Sequence, residues 1–290
     1  MYRLPFGWMP AIAAAALILL SASPPATAGN LRDALMQRRA NASASAPVAV
    51  PAGTRVIHDV AYGSDSRQRF DVYAPEHARH APVIVMVHGG GWRRGDKAMA
   101  NVVANKLARW LPRGFIVISV NYRMRPDTAP LEQAADVARA LASAQRQAPR
   151  WGGDAQRFIL MGHSAGAHLV ALIGAEPGLA RAQGAQPWLG TISLDGGSLD
   201  VVHTMQSRHL PLFDEAFGAD HAEWRAASPL QRLHVRIAPF LAVCSSRRVD
   251  SCAQSHAFVD KVRSFGSHAS VLEEDLSHGE INRQLGLPSD

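Results

Sequence analysis

Gly162-His163-Ser164-Ala165-Gly166 joins two apolar segments, Phe158-Ile159-Leu160-Met161 before it and residues 167–173 after it. The first segment is typical of a buried strand and the second of a helix. A serine flanked by glycines at such a turn presents its hydroxyl outside the sheet, because only residues without a bulky Cβ substituent fit so close to the backbone. The pentapeptide alone is weak evidence, but in this context it predicts a nucleophile at Ser164.

A second glycine-rich segment lies upstream and also follows an apolar run. Pro82–Val87 predicts a buried strand that leads directly into His88-Gly89-Gly90-Gly91-Trp92. Three consecutive glycines leave amide N–H groups unobstructed, as an oxyanion hole needs. A phosphate loop would need a lysine followed by a hydroxyl residue where the chain has Asp96-Lys97, and a dinucleotide fingerprint would need glycine where Arg94 stands. Both nucleotide-binding motifs are therefore excluded.

Three further segments accompany these motifs: Ser119-Val120-Asn121-Tyr122-Arg123, Gly152-Gly153-Asp154 and Trp224-Arg225-Ala226-Ala227-Ser228-Pro229. With them the chain resembles the α/β-hydrolase superfamily. Within it, the chain is similar to the His-Gly-Gly-Gly esterases related to hormone-sensitive lipase, bacterial acetyl esterases and kynurenine formamidases. The resemblance covers nearly all of the chain after about residue 55.

The resemblance assigns roles to individual residues. It implies that Ser164 is the nucleophile and that the amides of Gly90, Gly91 and Ala165 are the oxyanion donors. The reaction it implies is acyl transfer in two steps, through an acyl-enzyme that water then releases. Such a reaction needs no cofactor and no metal ion.

Strand-like runs recur along the chain with helical patterns between them. The runs are Phe70–Tyr73, Pro82–Val87, Phe115–Val120, Arg157–Met161, Thr191–Leu194, Phe240–Cys244 and Ser270–Leu272, and the clearest helical patterns are Ala129–Gln147 and Gln254–Ser264. This alternation predicts an α/β fold with a mostly parallel central sheet, helices on both faces and little or no separate cap domain. Functional groups belong at the carboxyl ends of such strands. Residues that follow predicted strands are His88, Ser164, Asp195, Asp250 and His278.

A serine hydroxyl needs an imidazole to remove its proton, and the imidazole needs a carboxylate to fix its tautomer. Of the 13 histidines, His278 is the last and follows the last predicted strand, which fits the fold's order of serine, acid and histidine. We expect Asp250 to be the acid, although a gapless comparison with the family pattern requires a longer loop there. Asp195, after the preceding strand, and Asp275, beside the base, are the alternatives.

The two cysteines, Cys244 and Cys252, bracket the loop that precedes Asp250. In an exported protein, cysteines this close predict a disulfide that pins the loop. The alternative is a buried Cys244 with a free Cys252. Arg247 and Arg248, in the same loop, are expected at the mouth of the site, as a solvated rim or as a point that recruits carboxylate-bearing substrates.

The N-terminus has the pattern of a secretory signal peptide: a single arginine, the apolar run Ala11–Leu20 and an Ala-x-Ala site at Ala26-Thr27-Ala28. We expect residues 1–28 to be cleaved, 29–54 to form an arm or linker, and 55–290 to form the catalytic domain. The protein would then be periplasmic or extracellular and would keep no stable membrane span. An uncleaved anchor is the alternative.

The net charge of +6 comes from 30 basic and 24 acidic residues that are spread along the chain. There is no basic run or aromatic-interleaved basic stripe, so we expect no nucleic-acid partner. The expected partner is a small-molecule ester or activated amide; the sequence does not indicate the oligomeric state. Besides ester hydrolysis, arylformamidase activity like that of the kynurenine formamidases and a non-catalytic binding protein of the hydrolase fold are the alternatives.

Overall fold

The computed structural model of the protein describes Met1 and residues 48–289. The predicted signal peptide, apart from Met1, and residues 29–47 of the predicted arm lie outside the described residues. Within residues 48–289, no helix is both long enough and apolar enough to cross a membrane.

In the described part of the chain, eight strands form one sheet in the order β1-β2-β4-β3-β5-β6-β7-β8. Their bounds are Thr54–Ala61 (β1), Arg69–Pro75 (β2), Ala81–Val87 (β3), Ile116–Val120 (β4), Gly153–His163 (β5), Gly190–Leu194 (β6), Phe240–Ser245 (β7) and Ala269–Glu274 (β8). Strand β1 pairs antiparallel with β2, and β2 with β4, while the remaining pairs are parallel. The mostly parallel sheet expected from the sequence is confirmed.

Ten α-helices lie among the described residues. Their bounds are Ala100–Trp110 (α1), Pro130–Gln147 (α2), Ala165–Ala175 (α3), Pro177–Ala182 (α4), Val201–Gln206 (α5), Pro211–Phe217 (α6), His221–Ala226 (α7), Pro229–Arg232 (α8), Val249–Ser264 (α9) and His278–Gln284 (α10). Short 3₁₀ turns at Leu111–Arg113 and Ala148–Trp151 end α1 and α2. Helices α5 to α8 all fall between β6 and β7.

The central strand β3 shows how the sheet separates two cores. Successive side chains of a strand point to opposite faces. Val83, Val85 and Val87 accordingly join one buried cluster with residues of α2 and α3, while Ile84 and Met86 join another with residues of α1 and α10. Because both faces are covered, the strand is apolar throughout, and this is why the sequence predicts it so clearly.

The structure adds one strand that the sequence does not predict. Strand β1 lies at the antiparallel edge, and much of it is exposed. Its pairing with β2 shifts between Ile57 and Val60, where Asp59 has a positive φ of 57°. An exposed, bulged edge strand has neither a continuous apolar run nor a clean alternation, so it gives no periodic signal.

Candidate active site

Ser164 lies at the turn between β5 and α3, where the sequence places it. Its backbone has φ 57° and ψ −119°, a conformation that residues other than glycine seldom adopt. The turn is tight: a Cβ added at Gly166 would lie 2.2 Å from the carbonyl oxygen of Val87. Close packing of α3 against the end of β3 therefore requires glycine at position 166. This packing holds Ser164 in its strained backbone conformation.

The imidazole of His278 contacts the Ser164 hydroxyl directly. Its Nε2 lies 2.9 Å from Ser164 Oγ, and its Nδ1 lies 2.5 Å from Oδ2 of Asp195. A carboxylate only accepts hydrogen bonds, so the proton of a neutral imidazole is on Nδ1, and Nε2 is free to accept the hydroxyl proton. The three side chains thus form one hydrogen-bonded chain from the Asp195 carboxylate to the Ser164 hydroxyl.

The prediction that Asp250 is the carboxylate beside the base is wrong. Asp250 lies in the first turn of α9 with its side chain exposed. The imidazole contacts Asp195, which directly follows β6 and is fully buried. The segment that the prediction treated as a longer loop instead begins helix α9 at Val249. The carboxylate of Asp250 is stabilised by the N-terminus of this helix and needs no partner in the site.

Several groups hold the carboxylate of Asp195. Its Oδ1 accepts the N–H of Ser245 at 3.1 Å and the hydroxyl of Ser251 at 2.5 Å, while Oδ2 accepts Nη1 of Arg248 at 2.5 Å. Burial alone would raise the pKa of Asp195. The hydrogen bonds from His278 and Ser251 and the charge of Arg248 outweigh burial and hold the pKa well below its ordinary value. Asp195 is therefore a carboxylate at any physiological pH.

The expected disulfide between Cys244 and Cys252 is present, with Cα atoms 5.2 Å apart. It joins the end of β7 to the first turn of α9. Of the two arginines between the cysteines, Arg247 pairs with Asp275 and has an exposed side chain. Arg248 reaches inward to Asp195, and its Nη1 also lies 2.9 Å from Nδ1 of His278. It is therefore part of the site rather than a solvated rim.

The glycine segment after β3 packs beside the serine. A Cβ at Gly90, where φ is 130°, would lie 1.9 Å from the carbonyl oxygen of Arg94, so only glycine fits. Within residues 48–289, the N–H groups of Gly90 and Gly91 donate to no backbone acceptor. Ala165 is the first residue of α3, and its N–H has no acceptor within the helix. Among the described residues, none of the three predicted donors has a backbone acceptor for its N–H.

Helix α6 covers this glycine segment. The indole ring of Trp92 packs against Phe213 and Phe217, with ring centroids 5.8 Å and 4.9 Å apart. Arg93, the next residue, forms an ion pair with Glu215. These contacts fix the end of the glycine segment between α6 and the sheet.

Two buried histidines that the sequence assigned no role also support the site. Nε2 of His163 donates to the carbonyl oxygen of His278 at 2.8 Å, and the two rings lie 4.5 Å apart. Nδ1 of His168 accepts from Nε1 of Trp92 at 3.2 Å, while its Nε2 donates to the carbonyl oxygen of Ala227 at 2.7 Å. Burial lowers the pKa of His163 to about 3 and that of His168 to about 4. Both rings are neutral, and both hold groups on which the site depends.

Sequence reasoning also missed Ser245 and Ser251 as partners of the acid. Nothing in a single sequence distinguishes a serine that binds a carboxylate from one at a surface. The one available signal was the pair of cysteines, because it marked residues 244–252 as a constrained segment.

Comparison with known proteins agrees with this geometry. Residues 70–189 match the family model BD-FAE. Esterase LipC of Mycobacterium tuberculosis is 30% identical over 240 residues, which cover 76% of this chain and 59% of LipC. Esterase LipQ of the same organism is 30% identical over 237 residues, covering 75% of this chain and 55% of LipQ. The chain therefore spans a little over half the length of these relatives.

Among solved structures, esterase B of Lactobacillus rhamnosis inhibited by a tributyrin phosphonate superimposes with a TM-score of 0.68. Its sequence is 21% identical, and the match covers 84% of this chain and 81% of that chain. Likeness at this level of identity establishes the fold. The sheet topology, the turn at Ser164 and this structural likeness show that the chain has the α/β-hydrolase fold, and its sequence is similar to the BD-FAE family over residues 70–189 and to the two esterases.

Proposed function

We propose that the protein is a serine hydrolase that cleaves carboxylic esters of small substrates through an acyl-enzyme. The observation that carries the proposal is the hydrogen-bonded chain from Asp195 through His278 to Ser164. The esterase names of the two relatives described above support it as well. No cofactor takes part in this mechanism.

In the first step, the Ser164 oxygen attacks the carbonyl carbon of the ester while Nε2 of His278 takes the hydroxyl proton. The amides of Gly90, Gly91 and Ala165 are proposed to bind the oxyanion, since none of them donates to a backbone acceptor within residues 48–289 and Ala165 begins a helix. His278 returns the proton to the departing alkoxide, which leaves as the alcohol. Water then attacks the acyl-enzyme with His278 again as base; the bond to the Ser164 oxygen breaks, His278 returns the proton to that oxygen, and the carboxylic acid is released.

The proposed function of Asp195 follows from its burial and its partners. Its carboxylate keeps the imidazole in the tautomer that can accept from Ser164, and it stabilises the imidazolium formed in each step. Because its pKa lies well below the ordinary value, the carboxylate stays ionised throughout the cycle. Asp195 is therefore the proposed acid of the triad in place of Asp250.

The test is hydrolysis of p-nitrophenyl acetate by the protein and by its Ser164→Ala variant. We expect turnover by the parent and none above background for the variant, because the covalent route requires the hydroxyl. A fluorophosphonate probe should label the parent and not the variant. Wild-type hydrolysis by Ser164→Ala would contradict the mechanism, and absence of labelling and turnover in the parent would favour a non-catalytic hydrolase-fold protein.

The same assay separates esters from formamides. Rates on p-nitrophenyl acetate and on N-formylkynurenine, measured with one preparation, should favour the ester by a wide margin. A preference for N-formylkynurenine would instead assign the protein as an arylformamidase.

We also propose that the protein is exported to the periplasm or the medium. The signal-like N-terminus supports this, as does the disulfide, since such bonds persist in oxidising compartments. Cell fractionation followed by N-terminal sequencing should yield a chain that begins at Gly29. Recovery of the full-length chain from the cytosol would contradict export.

A further inference from the structure

We infer that the ring closed by the Cys244–Cys252 disulfide positions Asp195 for catalysis, with Arg248 and Ser251 as its positioning side chains. This inference rests on the proposed function and deepens it. Among the described residues, the groups outside the triad that bind the carboxylate are the N–H of Ser245, the guanidinium of Arg248 and the hydroxyl of Ser251, and all three lie between the two cysteines.

The backbone of Asp195 does not fix its side chain by itself. The residue follows the last position of β6 and has a positive φ of 46°. A residue other than glycine keeps such a conformation only where surrounding contacts enforce it. Its N–H donates to the carbonyl oxygen of Val243 at 2.7 Å, which ties its backbone to β7. In the part of the chain that the structure describes, the carboxylate itself is held only by His278 and by residues of the ring.

The disulfide fixes the geometry of the ring at both ends. Cys244 belongs to β7 and is fully buried, while Cys252 follows Ser251 directly in α9. The bond therefore sets how far the first turn of α9 lies from the end of β7, and so how far the Ser251 hydroxyl lies from the carboxylate. Displacing a catalytic group by about 1 Å costs on the order of 10² in rate, so this distance matters for turnover.

Arg248 contacts the base as well as the acid. Its Nη1 lies 2.5 Å from Oδ2 of Asp195 and 2.9 Å from Nδ1 of His278, so one guanidinium nitrogen lies against both side chains of the pair. The position of this arginine therefore bears on how the carboxylate and the imidazole face each other.

The first test measures position without relying on turnover. In the parent, the Nδ1 proton of His278 shared with Asp195 should give a low-field proton NMR signal, assigned by its loss in His278→Ala. We expect the signal to broaden or shift upfield in Cys244→Ala/Cys252→Ala. Ser251→Ala keeps the disulfide, should do the same, and provides the test if the double variant does not fold. An unchanged signal in folded variants would overturn the inference, whatever the substrate.

The second test is kinetic and uses the neutral ester p-nitrophenyl acetate. Both variants should lose on the order of tenfold or more in kcat with KM nearly unchanged, because the ring positions the acid and does not bind substrate. If both keep the parental kcat while Ser164→Ala is inactive, the ring is unnecessary and the proposed function stands. If the parent hydrolyses no ester, the proposed function fails, and the NMR result alone decides the inference.

The third test separates the charge of Arg248 from packing. Arg248→Met should shift or broaden the low-field proton signal of His278 and should lower kcat for p-nitrophenyl acetate on the order of tenfold with KM nearly unchanged, because the carboxylate loses its cationic partner. Arg248→Lys keeps the charge and should restore part of both. Arg247→Met is the matched control, because that arginine pairs with Asp275 away from the triad. An NMR signal and a kcat for Arg248→Met that match the control would overturn the assignment of Arg248.

Discussion

Asp195→Asn should inactivate the protein by trapping the base in the wrong tautomer. Oδ1 of Asp195 accepts the backbone N–H of Ser245. A backbone N–H only donates and is fixed in place, whereas the Arg248 side chain that donates to Oδ2 can turn away, so the amide oxygen of asparagine takes the Oδ1 position and its NH₂ group takes that of Oδ2, beside His278. Because NH₂ also only donates, Nδ1 has to accept and the ring proton moves to Nε2. Nε2 can then no longer remove the proton of Ser164.

The expected loss in kcat is on the order of 10⁴, the size known for the same substitution in a serine protease, and it corresponds to about 5.5 kcal/mol of transition-state stabilisation. KM for p-nitrophenyl acetate should change little, because the acid does not touch the substrate. The measurement is kcat and KM for the parent and for the variant, with a thermal melt to verify that the variant is folded.

Asp250→Asn is the matched control, since it makes the same chemical change at an exposed carboxylate in the first turn of α9. Its kcat should stay within about twofold of the parent, as expected for an exposed residue outside the site. A folded Asp195→Asn variant that keeps more than a tenth of parental kcat would refute the tautomer argument. A large loss in Asp250→Asn instead would return the acid to the position expected from the sequence.

Three other changes test the surroundings of the site. Burial lowers the pKa of His168 to about 4, so below its ordinary pKa near 6.5 the unfolded chain binds a proton at this residue more readily than the folded chain, and the free energy of unfolding should be about 2 kcal/mol lower at pH 5 than above that pKa. Urea melts of His168→Gln should show a smaller difference between pH 7 and pH 5 than melts of the parent. The same difference in both proteins would contradict this. Gly90→Ala should lower kcat on the order of 10²-fold or more by displacing the oxyanion segment from Arg94; parental kcat would contradict it. Removing Cys244–Cys252 should reduce the free energy of unfolding by about 2–3 kcal/mol in urea melts, and an unchanged midpoint and slope would contradict that.

Much of the fold was predictable because its central strands are buried on both faces. Strands β3 and β4 read as continuous apolar runs, and glycines mark the turns after β3 and β5. Strand β1 could not be predicted in this way, because it is an exposed, bulged edge strand and has no continuous apolar run. Helix α9 was predicted from Gln254, although it begins at Val249, because its polar first turn carries no apolar period.

The residues of the site also divide into those that local sequence predicts and one that it does not. Local constraints determined the serine turn and the glycine segment, since a backbone that turns so sharply accepts only a few residue types. The histidine could be found from its place after the last strand. The acid could not, because Asp195 and Asp250 each follow a strand, and the difference between them is which one is buried against the imidazole.

By itself, then, the order of residues determined the parallel sheet, the turn at Ser164 and the place of His278 after the last strand, each of which depends on short-range rules of chain geometry. Only the packed chain decided which carboxylate supports the base, and that Arg248 and Ser251 hold it. Contacts between residues about fifty positions apart depend on how β6, β7 and α9 pack, and no short-range rule encodes that distance.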